Sequence, residues 1–188
     1  MQDTEALLHL LLEHEAADPL EEDHRERMLE LLAGPNDPFA RDHFVPGHFT
    51  ASAFVLDPAG EQLLLILHSK LNLWLQPGGH VDPTDPDLLS GARREAAEET
   101  GITALDPVGG IGPILDLDVH PIPANPRKGE PAHEHFDVRF LFRARSCAFE
   151  AGSDALAARW VPLAEVEDAG TDDSVARAVR KLRTLLGR

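Results

Sequence analysis

Three glutamates, Glu95, Glu98 and Glu99, carry the strongest chemical signal in the chain. At 100° per residue of helix they fall within an arc of about 100°. A helix over this stretch therefore presents one acidic side. Carboxylates about 6 Å apart repel by up to about 3 kcal/mol per pair at an effective dielectric of 20. A divalent cation reverses that repulsion, and hard ions such as Mg²⁺ prefer oxygen ligands. Arg94 lies one turn before Glu98, spaced to pair with it. Leu88, Leu89, Ala92 and Ala96 form the adjacent apolar arc, so the helix can dock while its acidic side looks into a cleft. Asp85 reads as the N-cap, Pro86 as the first helical residue and Gly101 as the glycine just past the last turn. Gly91 projects between Glu95 and Glu98; it either packs tightly on a neighbouring strand or loop, or leaves room for a substrate. An exposed acidic helix is the bland alternative. It explains the glutamates but not the Pro77-Gly78-Gly79 that precedes them.

The segment Gly79 to Ile102 resembles the Nudix box, G-x5-E-x7-R-E-U-x-E-E-x-G-U with U a bulky apolar residue. Arg94, Glu95, Glu98, Glu99, Gly101 and Ile102 stand in register, with small Ala96 at the first U, and Pro77-Gly78-Gly79 matches the family's usual lead-in. Asp85 replaces the first glutamate, and the run from Gly79 to Arg94 is one residue longer than the pattern. The resemblance implies an α/β fold, a Nudix-type α/β/α sandwich with a mixed sheet. It also implies a metal-dependent hydrolase that cleaves a pyrophosphate bond in a nucleoside diphosphate linked to another moiety. Mg²⁺ or Mn²⁺ would then be held by Glu95, Glu98 and Glu99, with the main-chain carbonyl of Gly79 as a further ligand by analogy. Arg94 would orient a glutamate through a charge-assisted hydrogen bond. The general base stays open between Glu98, another box glutamate and an acid outside the box such as Glu134.

Composition narrows the partners. A chain of 188 residues with 43% hydrophobic content suffices for one domain with some extra structure. The net charge of −16 opposes broad binding to a nucleic-acid polymer, which needs clustered Lys and Arg. It does not oppose a small phosphorylated, nucleotide-like substrate, because a metal ion reverses the local field. Cys147 is alone, so no intramolecular disulfide or thiolate zinc cluster forms, and the residue is expected to pack. The sequence MQDTEALL lacks a basic leader, and no apolar run approaches a membrane span. A cytoplasmic protein is expected.

Two leucine-rich helices, over residues 4 to 16 and roughly 20 to 33, form an N-terminal helical extension over 1–46, packed on the core or serving as a homodimer surface. His9, His14 and His24 read as surface polar residues. The Nudix domain is expected over 47–188. Thr50 to Leu56 and Gln62 to His68 read as strands around a turn at Asp57-Pro58-Ala59-Gly60. Further strands are expected from Ile114 to His120 and from His135 to Phe142, where Phe136, Val138, Phe140 and Phe142 share a buried face. A basic amphipathic helix closes the chain at 172 to 186.

Several residues around the box are candidates for substrate. Trp74 is placed to stack on a base, although an aromatic before a glycine turn is commonly core. Residues 120 to 137 form a proline-stiffened loop near the cleft. In it Arg127 and Lys128 could meet phosphates or be ordinary exposed cations. His133, Glu134 and His135 could supply an acid, a base or a second metal site, and only His133 and His135 share a face if the segment is extended. A non-catalytic sensor of a nucleotide or ADP-ribose-like ligand is the competing function, disfavoured by the intact glutamates. Isomerisation of isopentenyl diphosphate uses a cysteine upstream of the box in the family, whereas Cys147 lies downstream.

Overall fold

The computed structural model of the protein describes residues 4–108, 114–149 and 155–188. Helices Thr4–Glu13 (α1) and Pro19–Leu32 (α2) precede strand Gly47–Leu56 (β1). Strands Gln62–His68 (β2), Trp74–Leu75 (β3) and Gly78–His80 (β4) lead to helix Leu88–Thr100 (α3). Strands Leu105–Pro107 (β5), Ile114–Ile122 (β6), His133–Ala144 (β7) and Ala155–Pro162 (β8) follow, then a 3₁₀ turn at Val166–Asp168 and helix Asp173–Leu185 (α4).

Every residue of β1 is buried, because β1 lies centrally and both its faces are covered. The sheet runs β3-β2-β1-β7-β5, with β4 also on β1, β6 on β7 and β8 on β2. β1 and β7 are parallel over ten residue pairs, from Gly47↔Glu134 to Leu56↔Arg143, and the other pairings are antiparallel. On one face, Phe49, Ala51, Ala53 and Val55 of β1 and Phe136, Val138, Phe140 and Phe142 of β7 form a core with Leu7, Leu11, Met28 and Leu31 of α1 and α2 and with Leu88, Ala92 and Ala96 of α3. On the other, Phe54, Leu63, Leu65 and Leu141 meet Val175, Ala178, Val179 and Leu182 of α4. Helices thus cover both faces of a mixed sheet, as expected for an α/β/α sandwich. No helix among the described residues is long and apolar enough to cross a membrane.

The edge of the sheet near β6 holds a buried charge network that the sequence reading did not foresee. Arg139 is 2% exposed and meets Asp116, Asp118 and Asp137, each at 3.1 Å, and donates to the Ser174 carbonyl and hydroxyl. Arg177 of α4 forks onto both oxygens of Asp116 at 2.8 and 2.9 Å. Nearby, fully buried Glu21 accepts from His14, the Ala17 N–H and Lys181 of α4. Burial pushes the Glu21 carboxyl up, but those hydrogen bonds outweigh it and hold it at about 2.

This corrects three assignments. His14 is enclosed with Glu21, and His24 is buried with Nδ1 at 3.1 Å from the Leu117 carbonyl; of the three N-terminal histidines only His9 is at the surface. The charge and leucine pattern of α2 gave no sign of a partner on β6. Cys147, expected to pack, is exposed.

Candidate active site

α3 starts later than its sequence suggested. Asp87 is the N-cap, with extended backbone and an oxygen accepting from Ser90 N at 2.7 Å. Asp85 is neither cap nor surface: it is 5% exposed and held by Arg94, whose Nε and Nη2 donate to its oxygens at 3.0 and 2.9 Å. Pro86 accordingly precedes the helix. The helix ends as expected, with Gly101 at φ 70° and its N–H on the Ala97 carbonyl.

Arg94 gathers more than Asp85. Its Nη1 donates to Glu95 at 2.8 Å and to Glu98 at 3.2 Å, and its Nη2 to the His80 carbonyl at 3.0 Å. Such a planar fork holds several acceptors in fixed directions at once. The hydrogen bond with Asp85 is the main reason the guanidinium is held in its charged form. Burial pushes the Glu95 carboxyl up, opposed by Arg94.

The two glycines of β4 have separate steric causes. A Cβ on Gly78 would lie 2.4 Å from the Ser52 Cβ on β1, and one on Gly79 would lie 2.7 Å from Oε2 of Glu95. Gly78 N donates to Glu99 Oε2 at 3.0 Å. The glycine strand and the acidic helix are therefore locked together, with Glu95 lodged against the Gly79 backbone. Glu98 stands outward with its side chain 59% exposed. Several carboxylates beside a backbone with no side chain are a donor set suited to a hard cation. Gly91 faces Asp85 and Ala51, with its hypothetical Cβ 3.0 Å from Asp85 Oδ2, so close packing explains it.

The remaining candidates are spread over different surroundings. Trp74 is half-buried, with the Arg159 guanidinium stacked 3.8 Å from its ring centroid. Arg127 and Lys128 are exposed in the turn between β6 and β7, and the positive charge of Lys128 reaches His80. That turn is shorter than the expected loop, because β6 runs to Ile122 and β7 begins at His133. Glu134 pairs with Arg27 of α2.

His133 and His135 belong to a cluster that sequence reasoning only half found. Parallel pairing sets His48 of β1 beside His135, and the His48 ring lies 5.2 Å from His133, 4.9 Å from His135 and 5.1 Å from His80. Burial, reinforced by neighbouring positive charge, pushes His80 down to about 4 and His135 down to about 2, and lowers His48 as well. The strand expected from Thr50 in fact starts at Gly47, which brings in His48 on the same face as Thr50 and Ser52. Extending the period-two pattern two residues upstream would have put His48 on that face of β1, though not beside His135.

A family model described as NUDIX domain matches residues 46–182. A curated protein of Lactococcus lactis named "Probable DHNTP pyrophosphohydrolase" is 36% identical over 92 residues, covering 49% of this chain and 51% of that protein. The match thus spans about half the length of that relative. Among solved structures, a C. elegans Ap4A hydrolase complex aligns with TM-score 0.55 at 19% identity, covering 74% of this chain and 97% of that one. The E. coli dihydroneopterin triphosphate pyrophosphohydrolase aligns with TM-score 0.56 at 13% identity, covering 71% and 92%. At such identities these structures speak for the fold. The family match runs from the start of β1 into α4 and takes in the whole carboxylate helix, and this chain belongs to the Nudix family.

Proposed function

We propose that the protein is a metal-dependent hydrolase cleaving the pyrophosphate bond of a nucleoside diphosphate linked to another moiety. One observation carries this reading: Arg94 gathers Asp85, Glu95 and Glu98 beside a β4 strand whose Gly79 has no room for a side chain next to Glu95. Ap4A and dihydroneopterin triphosphate, the compounds in the names of two structural relatives, are both phosphoanhydrides. They suggest the bond class rather than the leaving group.

Glu95, Glu98, Glu99 and the Gly79 carbonyl would hold Mg²⁺ or Mn²⁺. When bound, such an ion supplies positive charge to pyrophosphate oxygens and acidity to water. The protein's own part is positional. Arg94 fixes Glu95 and Asp85, and the Gly78 N–H fixes Glu99, so the carboxylates are preorganised before substrate arrives. Glu98, the exposed member, would take a proton from water, a reading supported by its exposure and by the pairing of Glu134 with Arg27, which favours a base within the box. Lys128 and Arg127 remain the candidates for phosphate contact and Trp74 for stacking, whereas His133 is buried among other histidine rings and is the weaker candidate.

The test is a substrate panel with product identification, spanning nucleoside triphosphates, dinucleoside polyphosphates, ADP-ribose and pterin triphosphates. Turnover should need Mg²⁺ or Mn²⁺ and stop with chelator. Glu98→Gln and Glu99→Gln should each lower kcat by about 10²-fold or more, the scale of losing one charged group that acts in the transition state, with melting temperature unchanged. Ligand binding without turnover of any compound would make the protein a sensor and overturn the assignment.

A further inference from the structure

The histidine cluster lies beyond the chemistry of the box, and its tautomers can be read from its hydrogen bonds. Nδ1 of His48 is 3.2 Å from the His43 carbonyl, and Nδ1 of His133 is 2.8 Å from the Pro131 carbonyl. A carbonyl only accepts, so in each ring Nδ1 carries the proton and Nε2 presents a lone pair. Nε2 of His48 is buried with no hydrogen-bond partner among the described residues. His48 is 1% exposed and His133 8%, so water has little access to either ring.

We propose that His48, His133 and His135 form a second metal centre, taking a transition-metal cation of the Zn²⁺ class in an all-imidazole shell. The ligand atoms of the three rings lie within 4.8 Å of one another, and strand pairing sets the geometry: His48 and His135 are register partners on β1 and β7, and His133 is two residues along the same face. Tetrahedral zinc with bonds near 2.0–2.1 Å needs nitrogens about 3.3 Å apart, so the rings must close by about 1.5 Å at most. His135 is the half-buried member of the three.

The carbonyl contacts at Nδ1 of His48 and His133 are the outer-shell partners that orient a metal-bound imidazole and set its tautomer. Imidazole nitrogen suits Zn²⁺, Cu²⁺, Ni²⁺ or Fe²⁺ and suits Mg²⁺ poorly. An anion does not fit, because converging lone pairs repel it. Arg41 and Lys128 bring positive charge to this end, but both are exposed, and Arg41 has Glu130 at 4.0 Å. Three protein ligands leave a fourth position open. His80 separates the two centres: its carbonyl is held by Arg94, while its ring touches the histidine cluster.

The protein, stripped with chelator and returned to excess Mg²⁺, is titrated with ZnCl₂ by calorimetry. Co²⁺ is titrated in parallel by its visible absorption. One zinc per chain should bind with Mg²⁺ present. His135→Ala and His48→Gln should each weaken it by about tenfold or more and abolish the Co²⁺ bands, while Glu98→Gln and Glu99→Gln leave zinc affinity unchanged. His135 is half-buried, so its variant should keep the native near-UV circular dichroism and decides the matter if His48→Gln does not fold. Failure of the wild type to bind zinc, binding that survives His135→Ala, or binding lost with Glu99→Gln would each overturn the site. Because zinc binding is read without substrate, these outcomes are separate from those of the hydrolase assay.

Discussion

Arg139 and Arg94 each hold three carboxylates, and the contrast between them separates structure from chemistry. Arg139 is 2% exposed, and its aspartates are 0–6% exposed in their side chains. Arg94 is 27% exposed, and its carboxylates range from 6% for Asp85 to 59% for Glu98. The ion pairs are alike in geometry. In the first set the donors are consumed by protein, down to the carbonyl and hydroxyl of Ser174. In the second, the pairing leaves a graded series from buried Asp85 to open Glu98, so a ligand can reach one end of a cluster whose other end is locked. A network becomes a site when its pairing is incomplete toward solvent.

The sharpest way to break this contrast is at its closed end. Arg139→Met should destabilise the protein by about 3–5 kcal/mol, because three buried aspartates lose a partner. For a chain of this size that is a fall in Tm of about 6–20 °C. A fall below about 3 °C would mean the network is not structural in the sense argued here.

Glu21→Gln should come next, costing about 1–3 kcal/mol by leaving Lys181 and His14 without their anion. The sign in pH follows from a folded pKa of about 2 against an ordinary value of 4.5. The stabilisation is complete above 4.5 and fades as pH falls toward 2. Acid-denaturation curves should therefore lose part of their steepness between those values in Glu21→Gln, and identical curves would remove Glu21 from the account.

At the open end, Arg94→Lys keeps the charge but loses the fork that reaches Asp85, Glu95 and Glu98 together. kcat should drop about tenfold, or about 1.4 kcal/mol, with KM little changed. A rise in KM alone would make Arg94 a substrate contact.

The smallest effect belongs to Gly91→Ala. Alanine gains about 1 kcal/mol in helix propensity, but its Cβ would press on an Asp85 carboxylate that Arg94 holds in place. The gain should be cancelled and the Tm flat or slightly lower; a full propensity-sized rise would show that Asp85 yields freely.

Much of the open cluster was legible in the sequence, and little of the closed one. Arg94, Glu95, Glu98 and Glu99 lie within a helical turn or two of one another, so helical spacing alone assembles them. Asp85 and Asp87 are both aspartates beside Pro86, and local rules favoured the wrong one as cap. A tertiary bond to Arg94, nine residues on, decided the matter. The alternation in β7 revealed the phenylalanine face but implied that Asp137 and Arg139 looked outward. Arg139 is buried because Ser174 of α4, far along the chain, closes over it, and Asp137 because Thr50 and Ser52 of β1 and Arg139 itself enclose it. His48 and His135 share a face only through parallel pairing of distant strands, and nothing in either local sequence announces which strand lies beside which.

That pairing also orders events in time. The box helix is complete once the chain has reached Gly101, and it packs mainly on β1 and β4, which precede it, with a smaller contact to β7 and β8. β1, in contrast, waits for β7, more than eighty residues downstream, before its far edge is filled. Closing so long a loop is entropically costly before any contact rewards it, and non-local pairing of this kind slows folding. On a growing chain, then, the carboxylate cluster can assemble while β1 still has an open edge, and the histidines meet only after β7 has been synthesised. Until that moment the open edge of β1, like that of β2 awaiting β8, is free to pair with a wrong strand.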